Sequence, residues 1–430
     1  MTRPDPTHRP LWRSADVAAG EQVARWAASG AMALTGRADG PALGPPAGLV
    51  PRLDAIGEVL HRRAADIGSP LRVDVLALLG ERAAIAGHGR NGSTSCGGAT
   101  RMLAARDGWL AVSLARPEDV ELVPAWLERP APPDQAWAVV AETVAARPVA
   151  SLVAGGALLG LPVAALPTRA PVPTRAGDSL APLPVRAHRV AGPEPPPGHL
   201  DGALVVDLGS LWAGPLCAHL LGLAGADVVK VESPTRPDGA RRGPPRFFEL
   251  LNAGKRSVAL NLRSDDGRRH LAALVARADV VVEASRPRAL AQLGIDPERV
   301  IGGGGPQVWA SITGHGRTGA GAARVGFGDD AAVAGGLVSW DGDGPCFTAD
   351  AVADPVTGLV AAAVVLDALA VGGRWLLDVS MANVAAHLAG PTLPAGPDLA
   401  VAAPRARPVV GRAPALGEHT DDVLARLPRP

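Results

Sequence analysis

The sequence predicts an α/β protein, a parallel sheet with crossover helices joined to a smaller α+β part. Three observations carry this. Beyond residue 199 short apolar strands alternate with helix-length segments. A Pro- and Arg-rich stretch, 166–198, separates that series from an earlier region of mixed character and reads as an extended linker. Finally, 430 residues at 47% hydrophobic and mean hydropathy +0.15 can bury a large core and two domains.

The elements follow in order. In the first region, 100–114 (TRMLAARDGWLAVSL) reads as a strand pair turning at Arg106-Asp107-Gly108, and 137–146 as an apolar helix. Past the linker, 203–208 (ALVVDL) is a buried strand and 215–224 an apolar helix with Pro215 in its first turn. Strands are predicted at 227–232 (DVVKVE) and 257–262, then a helix from Ser264 with acidic residues in its first turn. Strands at 279–283 and 308–312 complete the series. The organisation is thus 1–165, a linker at 166–198, an α/β domain at 199–390 and a tail at 391–430.

Composition excludes several classes. With 42 basic and 42 acidic residues the chain has no electrostatic case for nucleic acid. Cys96, Cys217 and Cys346 are far apart, which argues against disulfides or a structural zinc and suits a reducing cytoplasm. No metal site is expected. The N-terminus lacks an apolar signal segment, and the apolar run 359–366 is too short to span a membrane. Cys217, in an apolar helix, reads as packing. The glycines 302–305 lack a following GK[ST] and precede a strand, so a phosphate loop is rejected.

A degenerate internal repeat runs at a constant offset of 304. Asp39-Gly40-Pro41 matches Asp343-Gly344-Pro345, Pro51 matches Pro355, Gly68 matches Gly372, and Asp74-Val75 matches Asp378-Val379. In that register Val50 faces Asp354. The first region reads as a copy that has lost its carboxylate.

Asp354 precedes Pro355 at the head of an Ala-rich helix, 355–370, closed by Gly372-Gly373. Asp at the N-cap with Pro next is a preferred helix start. The same placement serves chemistry, because backbone N–H groups and the helix dipole favour an ionised carboxylate. Local pattern does not choose between the two.

Context does. Asp207-Leu208-Gly209, Ala213-Gly214-Pro215 and 225–232 (GADVVKVE), followed by 252–260 (NAGKRSVAL), 278–283 (ADVVVE), Arg286-Pro287, Leu293-Gly294 and Ser311-Ile312-Thr313-Gly314, resemble class III CoA-transferases of the CaiB/BaiF type. Gly335-Gly336, Ala353-Asp354, Gly358, Leu377-Asp378-Val379-Ser380 and Gly417-Glu418-His419-Thr420 continue in family order. In the first region, 26–40 resembles the segment before the family's catalytic aspartate. Likewise 87–98 (GHGRNGSTSCGG, with Gly92, Gly97 and Gly98) is similar to its glycine-rich loop. Small-domain material therefore comes first in the chain, and no second glycine loop follows Ser380.

The resemblance implies a Rossmann-like CoA-binding domain plus a smaller domain. Asp354 would be the acyl-carrying nucleophile of an acyl-CoA:carboxylate CoA-transferase. Ala213-Gly214-Pro215 would approach CoA, with Arg263 and Arg324 near its phosphates. Coenzyme A enters as substrate, no cofactor is permanently bound, and a cytoplasmic homodimer is expected. Lys230 and Arg256 read as structural ion pairs. The family's Glu-Asn-Phe is replaced by Glu283-Ala284-Ser285, removing an asparagine and an aromatic platform. The family's 2-methylacyl-CoA racemases carry a histidine where this chain has Phe327, and His315 reads as a surface residue. A CoA-binding pseudoenzyme or partner subunit is the non-catalytic alternative.

Overall fold

The structure is a computed structural model and describes residues 15–69, 71–168, 184–193, 195, 200–396 and 398–427. The first region contains an antiparallel sheet of β1 (Thr100–Ala105), β2 (Gly108–Ser113) and β3 (Val163–Ala165), in the order β1-β2-β3. The predicted turn falls at Arg106-Asp107. Helices Pro117–Leu127, Ala136–Ala146 and Val149–Leu159 cover one face, burying Leu110, Val112, Trp126 and Val140 together. This is the smaller α+β part.

Among the described residues, the second sheet holds seven strands. They are β4 (Val185–Arg189), β5 (Leu204–Leu208), β6 (Asp227–Glu232), β7 (Arg256–Ala259), β8 (Val280–Glu283), β9 (Val308–Thr313) and, after a two-stranded hairpin of β10 (Val338–Asp341) and β11 (Gly344–Phe347), β12 (Trp375–Ser380). The spatial order is β4-β12-β9-β8-β5-β6-β7, parallel except for β4. Central strands such as β8 and β9 are buried along their whole length, as valine-rich runs covered on both faces must be. From β5 the chain builds outward first through β6 and β7, then through β8 and β9. The order therefore reverses between β5 and β8, and a crevice opens there at the carboxyl ends of the strands.

Two expectations about organisation are corrected. The stretch 166–198 is not only a linker, because Val185–Arg189 pairs antiparallel with β12 and closes that sheet edge. Residues 169–183, 194 and 196–198 of it lie outside the described residues. Nor is the whole first region separate from the second: residues 110–163 keep an apolar cluster of their own, but the residues before them share a core with the second region. The amphipathic helix Leu49–Asp66 presents Leu49, Val50, Leu53, Ile56 and Leu60, and these join one apolar cluster with Leu216, Val356, Val360 and Leu377. An apolar stripe of that width has to be covered, and the helix Ala353–Val371 covers it. That second helix is long and apolar enough to cross a membrane, with mean hydropathy 1.8 over its most apolar stretch, but 83% of that stretch is buried.

The tail also packs on both regions. Ala402 N donates to Ala27 O at 3.0 Å. Further on, the Gly-Glu-His-Thr motif binds the exposed edge of the large sheet. Ser257 N donates to His419 Nδ1 at 3.2 Å and Ala259 N to Thr420 Oγ1 at 3.0 Å. The motif blocks the free side of β7 against pairing with another strand.

Candidate active site

The hairpin β10–β11 delivers the chain into a tight turn at residues 348–352. Ala349 and Ala351 have φ of 52° and 44°, the left-handed region that a Cβ disfavours by about 1–2 kcal/mol per residue. The first region holds this turn in place. Ala349 N donates to Thr35 Oγ1 at 3.0 Å, Cys96 Sγ lies 3.5 Å from Ala349 O, and Phe347 N donates to Gly92 O at 2.9 Å.

The helix begins at Ala353, with Val352 as its cap, so Asp354 is its second residue and not its N-cap. The strained turn starts the helix two residues earlier than Asp-Pro alone suggests. Asp354 N donates to Ala351 O at 2.8 Å, and its carboxyl is not used in capping its own helix.

That carboxyl is half-buried against Gly328, whose backbone N–H hydrogen-bonds to it. A Cβ at Gly328 would lie 2.4 Å from Asp354 Oδ2, so only glycine leaves room for the carboxylate. Arg82 of the first region donates to Asp350 from Nε at 2.8 Å and from Nη2 at 2.5 Å, a bidentate pair with a fully buried carboxylate. Its guanidinium also stacks over Trp212, 5.1 Å from the ring centroid. Asp329 accepts hydrogen bonds from Ser95 and Thr100. Asp330 accepts from Phe327 N at 2.8 Å and Ser113 Oγ at 3.2 Å.

Three acidic groups are displaced upward. Burial, opposed by Arg82 and reinforced by the Asp329 and Asp350 charges, pushes the Asp354 carboxyl up to about 7. Burial pushes Asp329 up to about 6 and Asp330 up to about 7. A carboxylate that is partly desolvated yet ionisable near neutrality has the character of a nucleophile or a base.

The turn Ala213-Gly214-Pro215 opens the helix Ala213–Leu223, at the carboxyl end of β5 and beside the crevice. A Cβ on Gly214 would lie 3.3 Å from Ala284 Cβ, so the β5 and β8 loops meet here. One turn beyond Asp354, a Cβ on Gly358 would sit 2.8 Å from Ala213 O. That contact places the predicted CoA turn against the predicted nucleophile's helix. Gly92 is buried with φ 65°, and a Cβ on Gly97 would be 3.8 Å from Arg82 Nη2. The glycine-rich loop therefore lies over the Asp350–Asp354 turn. Gly98 is exposed with φ 79°.

The two arginines read as phosphate ligands are placed differently. Arg263 is exposed in the loop after β7, the outermost strand on its side. Arg324 donates from Nη2 to Val163 O at 2.9 Å and lines a cleft of about 430 Å³ with His315, Asn383, Ala334 and Ala165. His315 is not a surface residue. Burial holds its imidazole down to about 4, so it stays neutral. Lys230 and Arg256 form the expected ion pairs, Lys230 with Asp238 at 2.9 Å and Arg256 with Asp227. Cys217 is fully buried packing.

Sequence reasoning missed Arg82, Asp350 and Trp212. It also missed a basic cluster at the crevice. Burial, then the charges of Arg288, Arg116 and Arg236, holds the Arg286 guanidinium below its ordinary value. Arg286 follows β8 and Arg236 follows β6, both at carboxyl ends of strands. Among the described residues, no group of three or more His, Cys, Asp or Glu is arranged to hold a metal ion.

Fold and site together define a parallel-sheet protein with a half-buried carboxyl, pushed up to about 7, beside its switch-point crevice. The chain belongs to CoA-transferase family III, whose sequence profile matches residues 200–420, just over half of its length. It is 33% identical over 196 residues to an acyl-CoA transferase of Fusarium pseudograminearum, covering 41% of this chain and 43% of that protein. It is 35% identical over 173 residues to the succinyl-CoA:glutarate CoA-transferase of Mus musculus, covering 38% and 39%. The chain thus matches less than half the length of these curated relatives. A CAIB/BAIF family protein from Brucella suis is 34% identical over 44% of this chain and 54% of its own, with a TM-score of 0.39.

Proposed function

We propose that this protein moves CoA between an acyl-CoA and a free carboxylate, with Asp354 as the covalent carrier. The carrying observation is the Asp354 carboxyl itself, free of capping duty and ionising near 7 beside the Ala213–Pro215 turn. An Asp354 oxygen attacks the thioester carbonyl, and the C–S bond breaks to release CoA thiolate and leave a mixed anhydride. The thiolate then attacks the aspartyl carbonyl, expelling the donor acid as its carboxylate and forming an aspartyl-CoA thioester. An incoming carboxylate takes the CoA by the same two steps reversed.

The chain's own groups have defined tasks in this scheme. Gly328 N–H, aimed at the Asp354 oxygens, is placed to donate to the oxyanion as the aspartyl carbonyl is attacked. Arg82, paired with Asp350, favours the ionised form of Asp354 and so opposes the Asp329 and Asp350 charges that disfavour it. Arg286, Arg288 and Arg236 supply the positive crevice mouth that the CoA phosphates require. The cleft beside Arg324 and Asn383 starts at Ala334, the end of the short helix whose first residue touches Asp354, and accommodates the acyl group.

The test is direct. The protein is incubated with a panel of acyl-CoAs and an acceptor acid, quenched with hydroxylamine, and mapped by mass spectrometry. A hydroxamate on Asp354, absent from Asp354→Asn, is expected. Bound CoA without any adduct across the panel would overturn the transferase reading, and epimerisation of a 2-methylacyl-CoA without an adduct would replace it by the racemase.

A further inference from the structure

The internal repeat has a physical counterpart. In the first region a small hairpin, bridged Gly36↔Ala42, leads into the helix Leu49–Asp66. In the second, the β10–β11 hairpin leads into the helix Ala353–Val371, which starts 304 residues later. The two helices lie side by side within one apolar cluster. The hairpins before them, and the helices themselves toward their C-terminal ends, are tied by residues at that same separation. Arg37 Nε donates to Asp341 Oδ2 at 2.7 Å, and Arg63 Nη2 to Asp367 Oδ1 at 2.5 Å, each pair 304 apart. Each position faces its own equivalent, so the helices run parallel.

A row of stacked repeats would also bring equivalents together, but its contacts would run one way only. Here they are reciprocal. Thr35 Oγ1 accepts from Ala349 N at 3.0 Å, while Ser339, the equivalent of Thr35, donates to Gly44 O at 3.4 Å. Ala349 and Gly44 are equivalent within one residue. Phe347 N donates to Gly92 O at 2.9 Å, bringing the first region's loop to the second region's turn. In return Leu393 N donates to Pro45 O at 2.9 Å, and Ala47 N to Pro391 O at 2.8 Å, bringing the second region's tail to the first region's turn. If residue a of one copy meets b of the other, then b of the first meets a of the second. Only a half-turn rotation does this, and it is the signature of an isologous pair.

The charges show which occupant the surface fits. Two identical copies related by this axis would set Arg37 against Arg37, or Asp341 against Asp341, and like charges at contact repel. The unlike pairs suit two different halves. The first half also completes the site, contributing Arg82, Thr35, Ser95, Thr100 and the glycine loop to the turn that carries Asp354.

We infer that the protein is a two-fold pair closed within one chain. Its first region stands where a second subunit would, so it is a monomer with a single, internally completed site, in place of the homodimer that family resemblance implies. The Val50 half is the structural partner, and its carboxylate is not needed.

The test reads mass and linkage, not turnover, so its outcome is independent of the CoA-transfer reading. Sedimentation equilibrium of the full chain across the micromolar range is expected to return the monomer mass of 43.6 kDa. A stable dimer overturns the inference. Separately, an Arg37→Cys/Asp341→Cys chain is made in heavy and light isotopic forms, which are mixed, unfolded and refolded together, and then treated with a short bismaleimide. Cross-linked 37–341 peptides carrying only matched labels are expected. Mixed heavy–light cross-links overturn it.

Discussion

At the scale of residues, Asp354 depends on groups remote in sequence. Its carboxyl ionises near 7, so kcat/KM for CoA transfer is expected to rise with pH through about 7 and then level, as the pH–rate profile would show. The same shift fixes a stability effect. A carboxyl whose folded pKa lies above its unfolded value stabilises the fold below the unfolded pKa and loses that contribution as pH rises through the folded one. Asp354→Asn should therefore raise the melting temperature at pH 8, relative to the parent, and the gain should shrink toward pH 4. Arg82→Ala strands the buried Asp350 and should cost about 3–5 kcal/mol in urea unfolding, the range for breaking one partner of a buried pair. Removing Arg286 and Arg288 together should raise KM for acyl-CoA roughly 100- to 10,000-fold with kcat little changed, if each contact contributes the ~1.5–3 kcal/mol usual for charged hydrogen bonds. Asp354 was legible in the sequence because ordered motifs surround it. Arg82 was not, because its pairing with Asp350 spans 268 residues and leaves no local periodicity to read.

At the scale of elements, patterning succeeded where burial alone decides conformation. The strand Asp227–Glu232 and the capped helix Asp265–Arg277 fall where alternation and the Ser264 cap put them. It failed at β4, where alternating arginines and a histidine in VRAHR look like linker until β12 offers an edge to pair with. It also misplaced the start of the Asp354 helix, since two alanines at positive φ carry no residue signature. Such a turn persists only while its surroundings hold it. Gly358 is the other element-level constraint, because the helix Ala213–Leu223 crosses there at backbone contact. Gly358→Ala should force the two helices apart, costing about 1–3 kcal/mol by chemical denaturation and lowering kcat by misaligning Asp354 with the CoA turn.

At the scale of the molecule, the sequence suggested two domains, whereas the helices Leu49–Asp66 and Ala353–Val371 share one core across the two regions and only residues 110–163 keep a cluster of their own. Calorimetry is expected to show a single cooperative transition, and residues 199–430 alone should fail to fold, because the apolar flank of Ala353–Val371 would be left uncovered. The offset of 304 was visible as scattered matches, but a list of matches does not reveal that the matched segments face each other. Their unlike pairing has a consequence for how such a chain can vary. A symmetric dimer is changed twice by every substitution, once on each side of its axis. Here each substitution is felt once. The half without a carboxylate can drift toward whatever best braces its neighbour, and Arg37 opposite Asp341 is a solution that no pair of identical subunits could reach.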